Sequence, residues 1–185
     1  MKKLAMLAVL VGVTVANAGS DEVELKDRKS DVAGIKSKVP AGWKAQTPSN
    51  NLRMYQFAVP KADGDKEDAE LAIFSFGASG KEENLKRWKT QFIAPEGKTI
   101  AESSKVEEYK VGKIADVVVL DIWGTFKYRN PPNDPRAKED LKPNFRRFNV
   151  MLETDKGTFF ITLTGPAKTM EKHKAGFDGW IKAFK

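Results

Sequence analysis

The densest group of metal-binding side chains is a run of four carboxylates, Asp63, Asp65, Glu67 and Asp68. Clustered carboxylate oxygens in a loop are ligands that suit Ca²⁺. The spacing does not fit an EF-hand loop, because the sixth position would be Asp68 instead of glycine and the twelfth would be Phe74 instead of glutamate. We therefore interpret this segment as a solvated hairpin loop and predict no metal site.

Acid–base and nucleophilic catalysis lack the residues that they need. The chain has one histidine, His173, and no cysteine, and it contains no Gly-x-Ser-x-Gly motif. Asp116 and Asp121 are separated by an odd number of residues, so in a strand they face opposite sides and cannot act as a pair. We expect His173 to be a packing or surface residue, and we predict neither catalytic residues nor a cofactor.

Aromatic and basic side chains offer a second kind of chemistry. Indole rings could line a pocket or a glycan platform, with guanidinium groups as partners for an anion. These residues are Trp43, Trp88, Trp123 and Trp180, with Arg53, Arg87, Arg146 and Arg147. Three of the four indoles fall at core-like positions by periodicity, which favours a packing role for them. Trp43 lies in a turn, and we expect it to be exposed.

A long segment between two apolar runs is the strongest candidate for a binding surface. It extends from Tyr128 to Pro143 and contains four prolines. Loops of this length are uncommon in compact domains and often carry function, and proline lowers the entropy that a loop loses on binding. We predict five binding residues: Trp43, Arg129, Arg136, Lys138 and Lys142.

Apolar alternation predicts about seven strands, most of them joined as hairpins. In strand 52–59, Arg53 is expected on the same side as Tyr55 and opposite Gln56. The run 114–126 is apolar at both parities, which is typical of a central strand covered on both faces.

Two segments have apolar residues at helical spacing. Leu85, Trp88 and Phe92 recur after Glu82 and Glu83, whose negative charge suits the first turn of a helix. A closing helix follows the proline at position 166. Its apolar stripe consists of Met170, Phe177, Ile181 and Phe184. The chain is therefore predicted to have an α+β fold, with a largely antiparallel sheet and helices packed on it.

Three stretches carry a resemblance to a known superfamily. They are the opening strand and turn from Gly34 to Trp43, the strand and turn 157–166 (GTFFITLTGP), and the end of the closing helix, 177–184 (FDGWIKAF). With these stretches the chain resembles the PsbP/Mog1 superfamily of α/β/α sandwiches. The resemblance implies an accessory or binding role, and it supplies no site residues.

The N-terminus predicts export. Lys2 and Lys3 precede an apolar run from Leu4 to Val13, and Ala16-Asn17-Ala18 matches the pattern that a signal peptidase reads. The run is shorter than the roughly 20 residues that span a bilayer. We predict a signal peptide at 1–18, a flexible lead-in at 19–33 and a single globular domain at 34–185. The mature chain is expected in the periplasm or outside the cell, without a transmembrane segment.

Charge and compartment limit the partners. The net charge is +7, of which the two lysines of the leader contribute two, and the other basic residues are spread along the chain. An exported protein seldom meets nucleic acid, so we expect an acidic protein or an anionic envelope component instead. The leading hypothesis is a non-catalytic binding or accessory protein. The alternatives are a hydrolase or lyase with carboxylate and arginine chemistry in a cleft, or a small-ligand carrier with a sizeable pocket. The sequence leaves the oligomeric state open.

Overall fold

The structure is a computed structural model, and it describes residues 22–25, 35–75, 80–129 and 136–185. The strands in these ranges are β1 (Glu22–Leu25), β2 (Ile35–Lys38), β3 (Lys44–Gln46), β4 (Arg53–Val59), β5 (Ala69–Ser75), β6 (Phe92–Ile93), β7 (Ser104–Val111), β8 (Ala115–Arg129), β9 (Glu139–Thr154) and β10 (Gly157–Pro166). The helices are α1 (Lys81–Lys89) and α2 (Ala167–Lys182). The predicted signal peptide, residues 1–18, lies outside the described residues. Within the described ranges, no helix is long and apolar enough to cross a membrane.

Eight of the described strands form one antiparallel sheet. Seven follow the order β3-β4-β5-β10-β9-β8-β6, and β7 pairs with the first half of β8 while β6 pairs with its second half. β1 and β2 form a separate antiparallel pair. The prediction of an α+β fold with a largely antiparallel sheet of about seven strands is confirmed.

The central strand β8 is covered on both faces, as its sequence predicts. Val117 and Val119 belong to the core under α2, whereas Val118, Leu120 and Ile122 belong to the core under α1. The alternation follows from the two-residue period of a strand. The domain therefore has three layers, with one helix on each side of the sheet. We call the two sides the α2 face and the α1 face.

The loop 61–68 fixes the start of α2. Pro166 precedes this helix and supplies no side-chain cap. Asp65 takes that role from the loop, because its Oδ2 accepts hydrogen bonds from the Thr169 N–H at 2.9 Å and from Thr169 Oγ1 at 2.6 Å. A carboxylate at this end of a helix is stabilised by the helix dipole.

The structure differs from the sequence prediction at the lead-in 19–33. Residues 22–25 form β1, which pairs with β2, and Val23 is fully buried in the α2-face core. Val23 is one of few large apolar residues in a charged segment, so composition alone indicated disorder there. The remaining residues of the lead-in lie outside the described ranges.

Candidate functional site

The α1 face of the sheet is only partly covered by its helix. α1 has 9 residues and α2 has 16, and α1 packs Leu85 and Trp88 into the core above β8 and β9. Beside the helix, small side chains of the sheet, among them Ala58, Thr162 and Thr164, form a floor. The result is a cavity of about 820 Å³, which we call the sheet-face pocket.

A β-bulge turns Arg53 into this pocket. Arg53 pairs with Phe74, whereas Tyr55 pairs with Ile73, so the register shifts between them. Phe74 packs in the α1-face core and Ile73 in the α2-face core. Arg53 and Tyr55 therefore lie on opposite faces, and the prediction that they share a face is wrong because a bulge interrupts the two-residue period. Arg53 Nη1 lies 2.8 Å from Glu70 Oε1 in an ion pair.

Arg147 lies deep in the pocket, on β9. Its Nη1 donates a hydrogen bond to Gln91 Oε1 at 2.6 Å, and its guanidinium carbon is 5.3 Å from the centre of the Phe126 ring. Its Nε is buried without a hydrogen-bond partner. Burial, and after it the nearby charge of Arg87, lowers the pKa of Arg147 to about 10.

Arg87 lies at the edge of the same pocket, in the last turn of α1. Its Nη2 donates to Asn84 Oδ1 at 2.7 Å, and burial lowers its pKa. Both Arg87 and Arg147 thus have neutral amide acceptors as partners. Within the described part of the chain, no carboxylate lies within ion-pairing distance of either guanidinium. Two like charges therefore border one cavity without a counter-charge in contact.

Asn149 adds an unmet amide to the same face. It follows Arg147 by two residues on β9 and pairs with Thr162 of the pocket floor. The residue is fully buried, and its Oδ1 and Nδ2 have no hydrogen-bond partner. Asn149 does not line the sheet-face pocket, so its unpaired amide lies beneath the candidate site and is not part of it.

Aromatic rings form one wall of the pocket. Phe74, Phe126 and Phe145 are half-buried, and Trp88 and Phe160 are buried; all five line the cavity. The rings of Phe126 and Phe145 are stacked, with centroids 6.4 Å apart and an interplanar angle of 15°. The pocket therefore combines cationic groups with an apolar wall.

Ion pairs hold the rim of the pocket at the β8–β9 hairpin. Arg129 Nη2 lies 2.8 Å from Glu139 Oε2, and Lys142 Nζ lies 3.4 Å from Glu67 Oε1 and 3.5 Å from Asp140 Oδ2. Two of the predicted binding residues, Arg129 and Lys142, are thus at the pocket. Their charges are already matched by carboxylates of the chain.

A second bulge brings Lys142 to this face. Gly124 pairs with Phe145 and Phe126 pairs with Lys142, so β9 has one residue more than β8 between these pairs. The extra residue falls at 143–144, where Asn144 has a φ of 57°. Proline is tolerated in a strand at such a bulge.

The predicted loop from Tyr128 to Pro143 is shorter than expected. β8 continues to Arg129 and β9 begins at Glu139, so both ends of the segment are strands. Arg136 and Lys138 lie just before β9 and do not line the pocket. Residues 130–135 of this prediction lie outside the described residues.

Trp43 is buried, which corrects its expected exposure. Its side chain is 8% exposed, and Nε1 donates to His173 Nδ1 at 3.3 Å. The other ring nitrogen of His173 then donates to the Pro60 carbonyl at 2.8 Å. The Trp180 ring meets that of Trp43 edge-on at 5.8 Å. Trp43 and His173 are packing residues on the α2 face, away from the pocket.

The fourth arginine, Arg146, lies on the α2 face. Its Nε and Nη2 donate to the two oxygens of Asp121 at 2.7 and 2.6 Å, and Nη1 donates to Glu171 of α2. The hydrogen bonds that Arg146 donates to the Asp121 carboxylate raise the pKa of Arg146. This arginine is a structural cation with its charge satisfied.

The acidic run 63–68 also has structural contacts. Asp68 Oδ1 accepts a hydrogen bond from the Lys61 N–H at 3.0 Å, in addition to the roles of Asp65 and Glu67 described above. Among residues 22–25, 35–75, 80–129 and 136–185, no group of three or more His, Cys, Asp and Glu side chains is placed to hold a metal ion.

The chain was compared with models of known protein families and with curated proteins, and neither comparison gives a match.

Proposed function

We propose that this chain is an exported, non-catalytic binding protein that carries a small molecule in the sheet-face pocket. The observation that carries the proposal is Arg147, a cation in a cavity of about 820 Å³. Within the described part of the chain, its guanidinium donates a hydrogen bond to the Gln91 amide and contacts no carboxylate. Pockets of roughly 300–1,000 Å³ with an apolar lining and a few polar groups are typical of small-ligand sites.

The pocket supports a carrier better than a docking surface on the β8–β9 hairpin. At the rim, Arg129 and Lys142 already pair with carboxylates of the chain, which weakens their attraction for an acidic protein. Of the two arginines without a carboxylate contact, Arg147 lies inside the cavity and Arg87 at its edge, where a small molecule reaches both more readily than a folded partner.

The carboxylates of the pocket favour binding over hydrolysis. Glu70 accepts a hydrogen bond from Gln56 Nε2 at 3.1 Å and forms an ion pair with Arg53 at 2.8 Å. Glu139 is paired with Arg129 in the same way. A general base needs a lone pair free to reach the substrate, and these carboxylates are held by their neighbours.

Export and a PsbP/Mog1-like architecture belong to the same proposal. Export is supported by the basic, apolar and small-residue pattern of residues 1–18. Edman sequencing of protein recovered after expression of the full chain tests it, with Gly19 as the expected first residue. An intact leader on the recovered protein would contradict export with cleavage.

The carrier proposal is tested with a neutral fluorescent probe, N-phenyl-1-naphthylamine. We expect saturable fluorescence enhancement with the purified protein, since the aromatic wall offers an apolar surface. Ala58→Trp should weaken it, because Ala58 lines the pocket floor and an indole there occupies part of the cavity.

Val106→Trp is the matched control. Val106 is exposed on β7 and does not line the pocket, so the same indole there should leave the titration unchanged. Circular dichroism of both variants establishes that they fold. A probe that fails to bind, or that binds Ala58→Trp as well as the wild type, would contradict the carrier proposal.

A further inference from the structure

The cations of the sheet-face pocket differ in what neutralises them. Arg53, Arg129 and Lys142 each lie within 3.4 Å of a carboxylate of the chain. Among the described residues, the guanidinium groups of Arg87 and Arg147 donate hydrogen bonds to amide oxygens and have no carboxylate within ion-pairing distance. Lys127 of β8 also lines the pocket, and no described carboxylate lies within ion-pairing distance of it. Of the cations without such a contact, Arg87 and Arg147 are the two guanidinium groups, and they lie between the last turn of α1 and β9.

An anion between these two guanidinium groups would meet several needs at once. It would bring a counter-charge into contact with both guanidinium groups, which no carboxylate contacts among the described residues. It would also offset the repulsion between the two like charges, which contributes to the lowered pKa of Arg147. Guanidinium groups bind planar and tetrahedral oxyanions through paired N–H donors. Arg87 belongs to a helix and Arg147 to a central strand, so both are held on rigid elements.

The rest of the pocket does not suit a bare inorganic ion. Half-buried rings of Phe74, Phe126 and Phe145 continue from the arginine end towards the rim. At the rim, Leu52 and Tyr128 are 54% and 43% exposed. A cavity of about 820 Å³ is many times larger than a sulfate ion, and a ligand that fills it needs an apolar body.

We infer that the ligand is an amphipathic organic anion, whose oxyanion group is bound by Arg87 and Arg147 and whose apolar body lies on the phenylalanine wall. The inference rests on the proposed carrier function and assigns the ligand class for the same pocket. Carboxylates, sulfonates and phosphate monoesters share this chemistry. A naphthalene-sized body matches the wall formed by the stacked Phe126 and Phe145 rings.

The experiment compares two fluorescent probes that differ by one group. 8-Anilinonaphthalene-1-sulfonate is N-phenyl-1-naphthylamine with an added sulfonate. We expect the sulfonate to bind the wild-type protein at least tenfold more tightly than the neutral probe, because two charge-assisted contacts are gained. Arg87→Met and Arg147→Met should each lower this affinity ratio about tenfold.

Lys86→Met is the matched control, since it removes the same charge one position away on α1. Lys86 is exposed and does not line the sheet-face pocket, so the affinity ratio should stay as in the wild type. Displacement of the sulfonate probe by 1-naphthoate, 1-naphthyl phosphate and sodium sulfate then separates the chemistries. We expect both organic anions to displace it at much lower concentrations than inorganic sulfate.

Different results would overturn different statements. Equal affinity for the two probes, or an unchanged ratio in Arg147→Met, would overturn the ligand class while leaving a carrier of neutral molecules. Displacement by inorganic sulfate as readily as by naphthoate would overturn the apolar body. If neither probe binds, both the ligand class and the carrier function are wrong.

Discussion

Arg146 and Arg147 are adjacent in β9, yet they lie on opposite faces of the sheet and in opposite electrostatic surroundings. Arg146 makes a bidentate contact with Asp121, which raises its pKa. Arg147 donates to an amide, and burial lowers its pKa to about 10. On the α2 face a carboxylate of the chain therefore contacts the half-buried cation, whereas on the α1 face no described carboxylate does.

The covering helices show the same difference. On the α2 face, a long helix packs over the sheet, and Asp65 fixes the start of that helix. On the α1 face, a shorter helix leaves part of the sheet open. Functional sites often keep features that do not serve stability, and the contrast between the faces is consistent with the proposal that the binding site lies on the α1 face.

Arg146→Met should have the largest effect on stability, because it removes the ion pair with Asp121 on the α2 face. It leaves Asp121, whose side chain is 11% exposed, without its counter-charge. Removing one partner of a buried ion pair is strongly destabilising. We expect the free energy of unfolding to fall by about 3 kcal/mol, measured by urea denaturation. An unchanged midpoint would show that the two faces do not differ in this way.

Asp65→Ala should come next, because it removes the contacts at the start of α2. Thr169 loses the acceptor for both its N–H and its hydroxyl. We expect a loss of about 1.5 kcal/mol in the free energy of unfolding, again from urea denaturation. Probe binding in the sheet-face pocket should be preserved, since the contact lies at the start of α2, on the other side of the sheet. If the variant folds but no longer binds the probe, the α2 face influences the pocket on the α1 face, and the two faces are not independent.

Arg147→Met should act in the opposite direction to Arg146→Met. It removes a half-buried cation that no carboxylate contacts among the described residues, although Glu70 attracts it from a greater distance. Methionine also suits the apolar surroundings of Phe126. We expect the ligand-free protein to gain about 1 kcal/mol in stability. Thermal unfolding of both methionine variants measures the difference between the two faces. If Arg147→Met destabilises the protein as much as Arg146→Met does, the proposed electrostatic difference between the faces is wrong.

The same substitution makes a pH prediction. The pKa of Arg147 in the folded state, about 10, is below the ordinary value of an arginine side chain. In a pH window that begins near this pKa, the unfolded chain therefore binds more protons than the folded chain. Stability contributed by this group therefore rises with pH in that window. The stability difference between Arg147→Met and the wild type should shrink by about 1 kcal/mol from pH 9 to pH 11. A difference that is constant with pH would contradict the lowered pKa.

Glu67→Gln should have the smallest effect, because it touches only the rim. The Lys142–Glu67 pair is 3.4 Å long and partly exposed, and Asp140 remains within 3.5 Å. We expect a change of less than about 0.5 kcal/mol in the free energy of unfolding. A loss of stability as large as that caused by Arg146→Met would show that the ion pair at the rim contributes as much to stability as the Arg146–Asp121 pair.

Regular parts of the fold could be predicted from the sequence, because they depend on local periodicity. The two-sided burial of β8 follows from apolar residues at both parities, and the two helices follow from apolar spacing. Arg53, Arg87 and Arg147 were also identified as candidates for an anion. Their grouping was not, because the bulge at Arg53 reverses the face that alternation assigns to it.

The predictions that the structure corrects failed because they depend on contacts between residues far apart in the sequence. Trp43 lies in a turn, and only the packing of α2, with His173 and Trp180 more than 100 residues away, buries it. Pro143 indicated a loop, but the bulge at 143–144 accommodates it inside β9. Whether a carboxylate contacts Arg147 depends on the tertiary fold, and no local sequence pattern contains that information.

The alternation of Arg146 and Arg147 also has a consequence for how β9 finds its place during folding. A slip of one residue would exchange the two side chains between the faces. Asp121 would then lose its guanidinium partner, and the apolar side chains of β9 such as Phe148 and Val150 would leave the core under α2. The charge pair therefore reinforces the apolar pattern as a marker of register, and a misaligned hairpin would be penalised before α2 could pack on it.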